Sequence, residues 1–219
     1  MATRKTTRAT TGTAAPRTAT PDGAKGPAAD AERLIEEGTQ SDFNRLGAAL
    51  HDERAATATY AARVLAELVR KKPESLTPIV DRITSAITAD NKRVVDAAAV
   101  ALPAIAAVAP ARIAKHLDRL KGAYAKTSDA GKDGLVRTFA ALCAASVAYQ
   151  KRLEPALKTA LSGADPKTLA TWTEIVLPSL KGEPHANARA VVERRLHTLP
   201  RGPAQKIADH LGIKLLRRR

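Results

Sequence analysis

The cations of this sequence are the residues best placed to do chemistry. Arg112, Lys115, His116 and Arg119 recur at three- and four-residue spacing, and Ile113, Leu117 and Leu120 fall between them. On a helix, that spacing separates a buried stripe from a face on which the four basic groups point outward together. Comparable segments supply Arg82, then Lys151, Arg152 and Lys158, then Arg189, Arg194 and Arg195. Cations held in one orientation form a positive track that binds a phosphate backbone and releases its counterions. Asp81, Asp118, Glu154 and Glu193 are interspersed among them, so a solvated face of mixed charge is the competing expectation.

Both ends of the sequence add positive charge. Arg4, Lys5 and Arg8 stand near the start, and Arg217, Arg218 and Arg219 close the chain. Residues 203–216 read as an amphipathic helix, and cations at its C-terminus suit the macrodipole. Three consecutive arginines exceed that need. They point to phosphate, to an acidic patch on a partner or, third, to a membrane surface.

Groups that catalyse are scarce. The single cysteine, Cys143, sits in the run Phe139-Ala140-Ala141-Leu142-Cys143 and reads as a small buried hydrophobe. The five histidines show neither HxxxH nor HExxH spacing, so no zinc site is expected. Neither phosphate-binding loop pattern, GxGxxG or GxxxxGK[ST], occurs, and there is no GxSxG elbow. The chain therefore reads as non-enzymatic, with no catalytic residue, no metal and no cofactor assigned. Trp172, the one tryptophan, reads as core.

Elements able to hold the cations in place follow from composition. Hydrophobic residues make up 44% of the 219 but aromatic ones only 3%. The apolar content is mainly Ala, Leu, Val and Ile, which favours helix over sheet. Residues 1–28 carry no large apolar side chain after Met1, and hold five cations against one carboxylate. They cannot bury enough surface to offset chain entropy. Three readings fit this disordered basic arm: phosphate contact, an inert tail, or an organelle transit peptide lacking the usual amphipathic face. Residues 183–219 hold nine cations against three carboxylates, so the net charge of +14 gathers at the two ends. Pro103 and Pro110 interrupt Val94–Ala114, the most apolar stretch, and no membrane span is expected.

From residue 29 the periodicity predicts helices over 29–37, 41–51, 53–71, 75–88, 91–108, 111–125, 131–148, 151–162, 166–181, 184–198 and 203–216. Asp90, Ser128 or Asp129, and Asp165 are the candidate N-caps, the last followed by Pro166. The segments also repeat. Leu65 matches Leu102, and Leu76, Val80, Asp81, Arg82 and Ile83 match Ile113, Leu117, Asp118, Arg119 and Leu120, all at an offset of 37. Leu102-Pro103 returns as Leu177-Pro178, and Leu76-Thr77-Pro78 as Leu153-Glu154-Pro155, about two periods on.

Val94-Val95-Asp96-Ala97-Ala98-Ala99-Val100-Ala101-Leu102 resembles the first-helix pattern of the HEAT-like (armadillo-type) helical repeat family. Val136-Arg137-Thr138-Phe139-Ala140-Ala141 keeps that family's Val-Arg pair, and Pro103 and Pro178 fall where its first helix often kinks. Val95 replaces the usual arginine, and the linker at 124–134 is longer than the pattern. The resemblance covers residues 52–200. It implies an all-α protein: a right-handed α-solenoid of about four helix pairs over 29–216, with short capping helices and second helices lining the concave side. Residues 217–219 then form a basic C-terminal end. The family also contains alkylpurine DNA glycosylases, which use aromatic side chains and a catalytic carboxylate. Trp172 and Glu174 are the nearest counterparts, but residues 168 and 176 are Thr and Val, so no carboxylate stands one turn from the tryptophan.

The expected function is binding of nucleic acid through its phosphate backbone, in the cytoplasm or on the nucleoid. Few aromatics disfavour base stacking, which leaves duplex DNA, or else structured RNA, with little sequence preference. The alternative is a protein–protein scaffold that takes an acidic or helical partner on the concave face, and the third reading is the glycosylase.

Overall fold

The computed structural model describes residues 26–215, and among these no strand forms. Twelve α-helices follow in order: α1 Gly26–Glu37, α2 Gln40–Ala49, α3 Ala55–Lys71, α4 Val80–Ala86, α5 Lys92–Val108, α6 Pro110–Ala114, α7 Leu117–Ala123, α8 Asp129–Ala145, α9 Val147–Gly163, α10 Pro166–Ser179, α11 Gly182–Leu196 and α12 Arg201–Leu211. A 3-10 helix, Pro73–Ile79, leads into α4. The expected arm over 1–28 lies outside the described residues as far as residue 25, but its last three residues already belong to α1. The basic end at 217–219 lies wholly outside them.

Local signals explain most boundaries. Thr39 and Asp42 close a capping box at the start of α2. Ser128 caps α8, its hydroxyl accepting from the Gly131 amide at 3.3 Å. Asp165 caps α10 and accepts from the amides of Lys167 and Thr168, with Pro166 at the first helical position. Hydrogen bonds from the Thr168 side chain first, then from the backbone amides, lower the Asp165 carboxyl below its ordinary value. The cap of α5 is Asn91 rather than Asp90: its side chain accepts from the Arg93 amide at 3.0 Å.

Three expected helices take a different form. Residues 75–88 do not make one helix. Pro78 cannot donate a backbone hydrogen bond, and the chain runs as 3-10 helix until Ile79 bends it into α4. Residues 111–125 divide in the same way at His116, into α6 and α7. His116 stands 37 residues after Ile79 and bends without an adjacent proline, so the bend belongs to the packing and not to proline alone. The expected helix over 203–216 stops at Leu211, where Gly212 adopts φ +69° and Ile213 donates back to the Ala208 carbonyl.

Packing joins these helices into two rows. In the first, α1, α3, α5, α8, α10 and α12 each pack against the next. In the second, α2 packs on the 3-10 helix and α4; α6 and α7 join α4 through the contacts of His116 with Asp81 and of Arg119 with Ser85; and α9 packs on α11. One apolar cluster extends from Ala31 to Ile207, so neighbouring helix pairs share a core. The matched apolar positions are all inside it: Leu65 and Leu102, Leu76 and Ile113, Val80 and Leu117, Ile83 and Leu120. The matched polar positions Asp81, Asp118, Arg82 and Arg119 are all exposed. Buried polar groups tie the rows together. Thr127 donates to the Ile87 carbonyl. Gln150, 2% exposed, donates to the carbonyls of Cys143 and Ser179 and accepts from the Lys181 amide.

The closest approach lies between α5 and α8. A Cβ added at Gly134 would stand 2.5 Å from both the Cα and the Cβ of Ala99. At an exposed helical site Gly→Ala gains about 1 kcal/mol of helix propensity. Here the sign should reverse, because overpacking two helix backbones costs about 1–3 kcal/mol. Urea unfolding of Gly134→Ala is expected to show net destabilisation; equal or greater stability would mean that the two helices separate freely.

Candidate nucleic-acid interface

The second row carries most of the cations singled out by spacing, and the structure sorts them into two groups. Arg82 on α4, Arg112 and Lys115 at α6, Arg119 on α7, Lys151 and Arg152 on α9, and Arg194 on α11 are exposed, with no carboxylate within 4 Å among the described residues. The other group is committed to the fold. Lys158 pairs with Glu154 at 3.8 Å, and Arg189 pairs with Glu193 at 2.6 Å and reaches the Leu211 carbonyl at 3.3 Å. Arg195 is half-buried and donates to the Leu161 carbonyl at 2.8 Å. His116 departs from the outward face as well: its Nδ1 lies 3.3 Å from a carboxylate oxygen of Asp81, with the ring largely covered. The bend between α6 and α7 turns it inward. Arg4, Lys5, Arg8, Arg217, Arg218 and Arg219 lie outside the described residues.

Contacts between successive pairs fix the alignment. Arg119 donates to Ser85, 34 residues earlier. Asn187 donates to Glu154, 33 residues earlier, at 2.8 Å. Arg195 reaches Leu161 over 34 residues. These contacts join α4 to α7 and α9 to α11 at nearly constant separation.

Two clefts meet where α9 ends. One, of about 650 Å³, lies between α9 and α11 and is lined by Lys158, Arg194, Thr159 and Ser162. The other, of about 560 Å³, shares Thr159 and Gly163 with it and adds Lys132, Lys167, Tyr124 and the edge of Trp172. Lys167 and Lys132 were not singled out from the sequence, because neither falls on a second-row helix. Asp129 pairs with Lys132 at 3.1 Å and offsets part of its charge. Glu154, Asp129, Asp133 and Asp165 line the same two clefts, so four carboxylates stand against the four cations and the clefts themselves carry no net positive charge. The N-terminal pair is different: residues 26–54 hold seven carboxylates against three arginines. The positive surface therefore begins beyond α2.

Trp172 is 3% exposed and its indole donates to Asp133 at 2.8 Å. Asp133 also pairs with Arg137 at 2.7 Å. Glu174 points elsewhere, into an ion pair with Lys206 at 3.0 Å. The carboxylate beside the tryptophan thus comes from α8, one period earlier. Among the described residues no group of three or more His, Cys, Asp or Glu side chains is placed to hold a metal ion. No helix there is long and apolar enough to cross a membrane.

No family model matches the chain, and no curated protein matches it. The chain is similar to the crystal structure of an engineered protein, at 18% identity over 85% of each chain and a TM-score of 0.58. At that identity the likeness shows a shared fold alone.

Cys143 is fully buried, and burial pushes its thiol up to about 12. Since the thiolate is the reactive form, the folded protein should resist Ellman's reagent at mildly alkaline pH and react on unfolding in urea. Prompt reaction of the native protein would contradict both the burial and the raised pKa.

Proposed function

We propose that this chain is a non-enzymatic nucleic-acid-binding protein that holds duplex DNA by its phosphate backbone with little sequence preference. In this reading it is a right-handed HEAT-like α-solenoid of about four helix pairs with short capping helices. Its second helices line the concave side, and it works on the nucleoid, in the cytoplasm. The observation that carries the reading is the set of exposed cations without carboxylate partners on successive second-row helices: Arg82, Arg112, Lys115, Arg119, Lys151, Arg152 and Arg194. Their alignment is supported by the near-constant contacts from Arg119 to Ser85 and from Arg195 to Leu161. A polyanion laid along them exchanges condensed counterions for protein cations, and that exchange supplies affinity without base contacts. With six aromatic residues in the whole chain, and Trp172 buried, stacking on single-stranded bases is poorly served.

The test is salt dependence with random-sequence duplex DNA. Each phosphate contact contributes about 0.9 to the slope of log affinity against log salt. Replacing Arg112, Lys115, Lys151 and Arg152 by alanine should lower that slope by about 3 to 4 and leave folding intact. Deleting residues 1–25 and 217–219 should lower it further. Absence of binding near physiological salt would eliminate the reading and leave the protein-binding scaffold.

A further inference from the structure

We propose that the shared end of α5 and α8 is a docking surface for an acidic amphipathic helix of a partner protein. The large apolar side chains exposed among the described residues are Val100, Val108 and Val147, at 56%, 51% and 59%. Val100 and Val108 lie on α5, and Val147 opens α9 directly after α8. The two long helices run parallel. Thr127, ahead of α8, donates to Ile87, ahead of α5, while Gly134 lies against Ala99, and Val100, Pro103 and Arg137 line one groove of about 440 Å³ with Asp96, Ala130 and Asp133. That register brings the C-terminal ends of α5 and α8 to one edge, so Val108 and Val147 stand at the same end of the molecule. Exposed Ala107 and Ala144 lie on the same two helix ends. On α5 the path from Val100 to Val108 spans about 12 Å of helix axis.

Charge indicates the occupant. From Ala97 to Leu117, and again from Gly134 to Leu153, the sequence has no carboxylate. Exposed Arg112 follows Val108 by four residues, and exposed Lys151 follows Val147 by four on one face of α9. Asp96 and Asp133 line the groove beside Val100, so the basic rim belongs to the Val108 and Val147 end, and that end complements a helix whose apolar stripe is flanked by carboxylates. Valine and alanine make this surface shallow, so the bulk must come from the partner. An anionic membrane is the poorer fit. Interfacial anchors insert Trp, Phe or Leu, and none of these is among the exposed large apolar residues.

This surface does not rest on the nucleic-acid reading, and a peptide probe separates the two. The probe is a synthetic helical peptide of about five turns, with leucines at three- and four-residue spacing and glutamates on both flanks. Fluorescence anisotropy should give saturable binding, weakened at least tenfold by Val108→Asp and by Val147→Asp. A probe with lysine in place of glutamate should not bind. Both valines are exposed, so the thermal midpoint should stay unchanged. An aspartate there stands four residues from Arg112 or Lys151, so duplex DNA affinity is compared with the uncharged Val147→Ser, which should weaken peptide binding and leave DNA binding unchanged. Lack of saturation up to about millimolar peptide, or binding indifferent to all three valine variants, would overturn the proposal. So would valine-dependent partition of the protein onto phosphatidylglycerol vesicles, which would assign the surface to a membrane.

Discussion

Gly134 lies so close to Ala99 that a single methyl group between them has no room. The spacing of α5 and α8 is therefore set by backbone against backbone, at the centre of the first row. α5 is built for such an approach, with Ala97, Ala98, Ala99, Ala101 and Ala106 all buried along it. Small residues bring helix axes to the near end of the usual 8–10 Å range. Through the shared core α8 also packs on α10, which packs on α12, and α5 packs on α3, which packs on α1.

Electrostatics within the second row follow the sequence repeat. Asp81 faces His116 of the next pair, and Glu154 is bonded by Asn187 of the next. Asp118, between them, is lowered below its ordinary value by the hydrogen bond and charge of Lys121, and further by the charge of Arg152 on the next pair. Each second-row helix thus directs a carboxylate toward its successor. Asp81 and Asp118 remain largely exposed, at 77% and 80%, so they temper the charge of the neighbouring cations as well as joining the pairs.

The apolar period was legible in the sequence because burial acts on every repeat alike: Leu76 and Ile113, or Ile83 and Leu120, must both reach the core. The caps at Ser128 and Asp165 were legible for the same local reason, since the orphan amides of a helix start need an acceptor. What escaped depends on geometry between helices. The bend at His116 has no proline to announce it. Arg189 and Arg195 look like free cations until the carbonyls of Leu211 and Leu161 are placed beside them. Asp133 is 39 residues from Trp172 and becomes its partner only when α8 and α10 are stacked.

Ion pairs at the joints and a positive outer surface serve different ends at different distances. Exposed pairs such as Lys121 with Asp118 contribute about 0–1 kcal/mol each, so they orient side chains more than they stabilise the fold. Unpaired cations on neighbouring helices are separated by about one helix spacing, close to the Debye length of about 8 Å at physiological salt. Their mutual repulsion is then largely screened and costs the folded state little. A polyanion meets the same cations at contact distance, where screening is weakest and each displaced counterion adds to affinity. Rigid stacking is what lets both conditions hold, since a flexible chain with the same composition would have to spend conformational entropy to bring those cations into line.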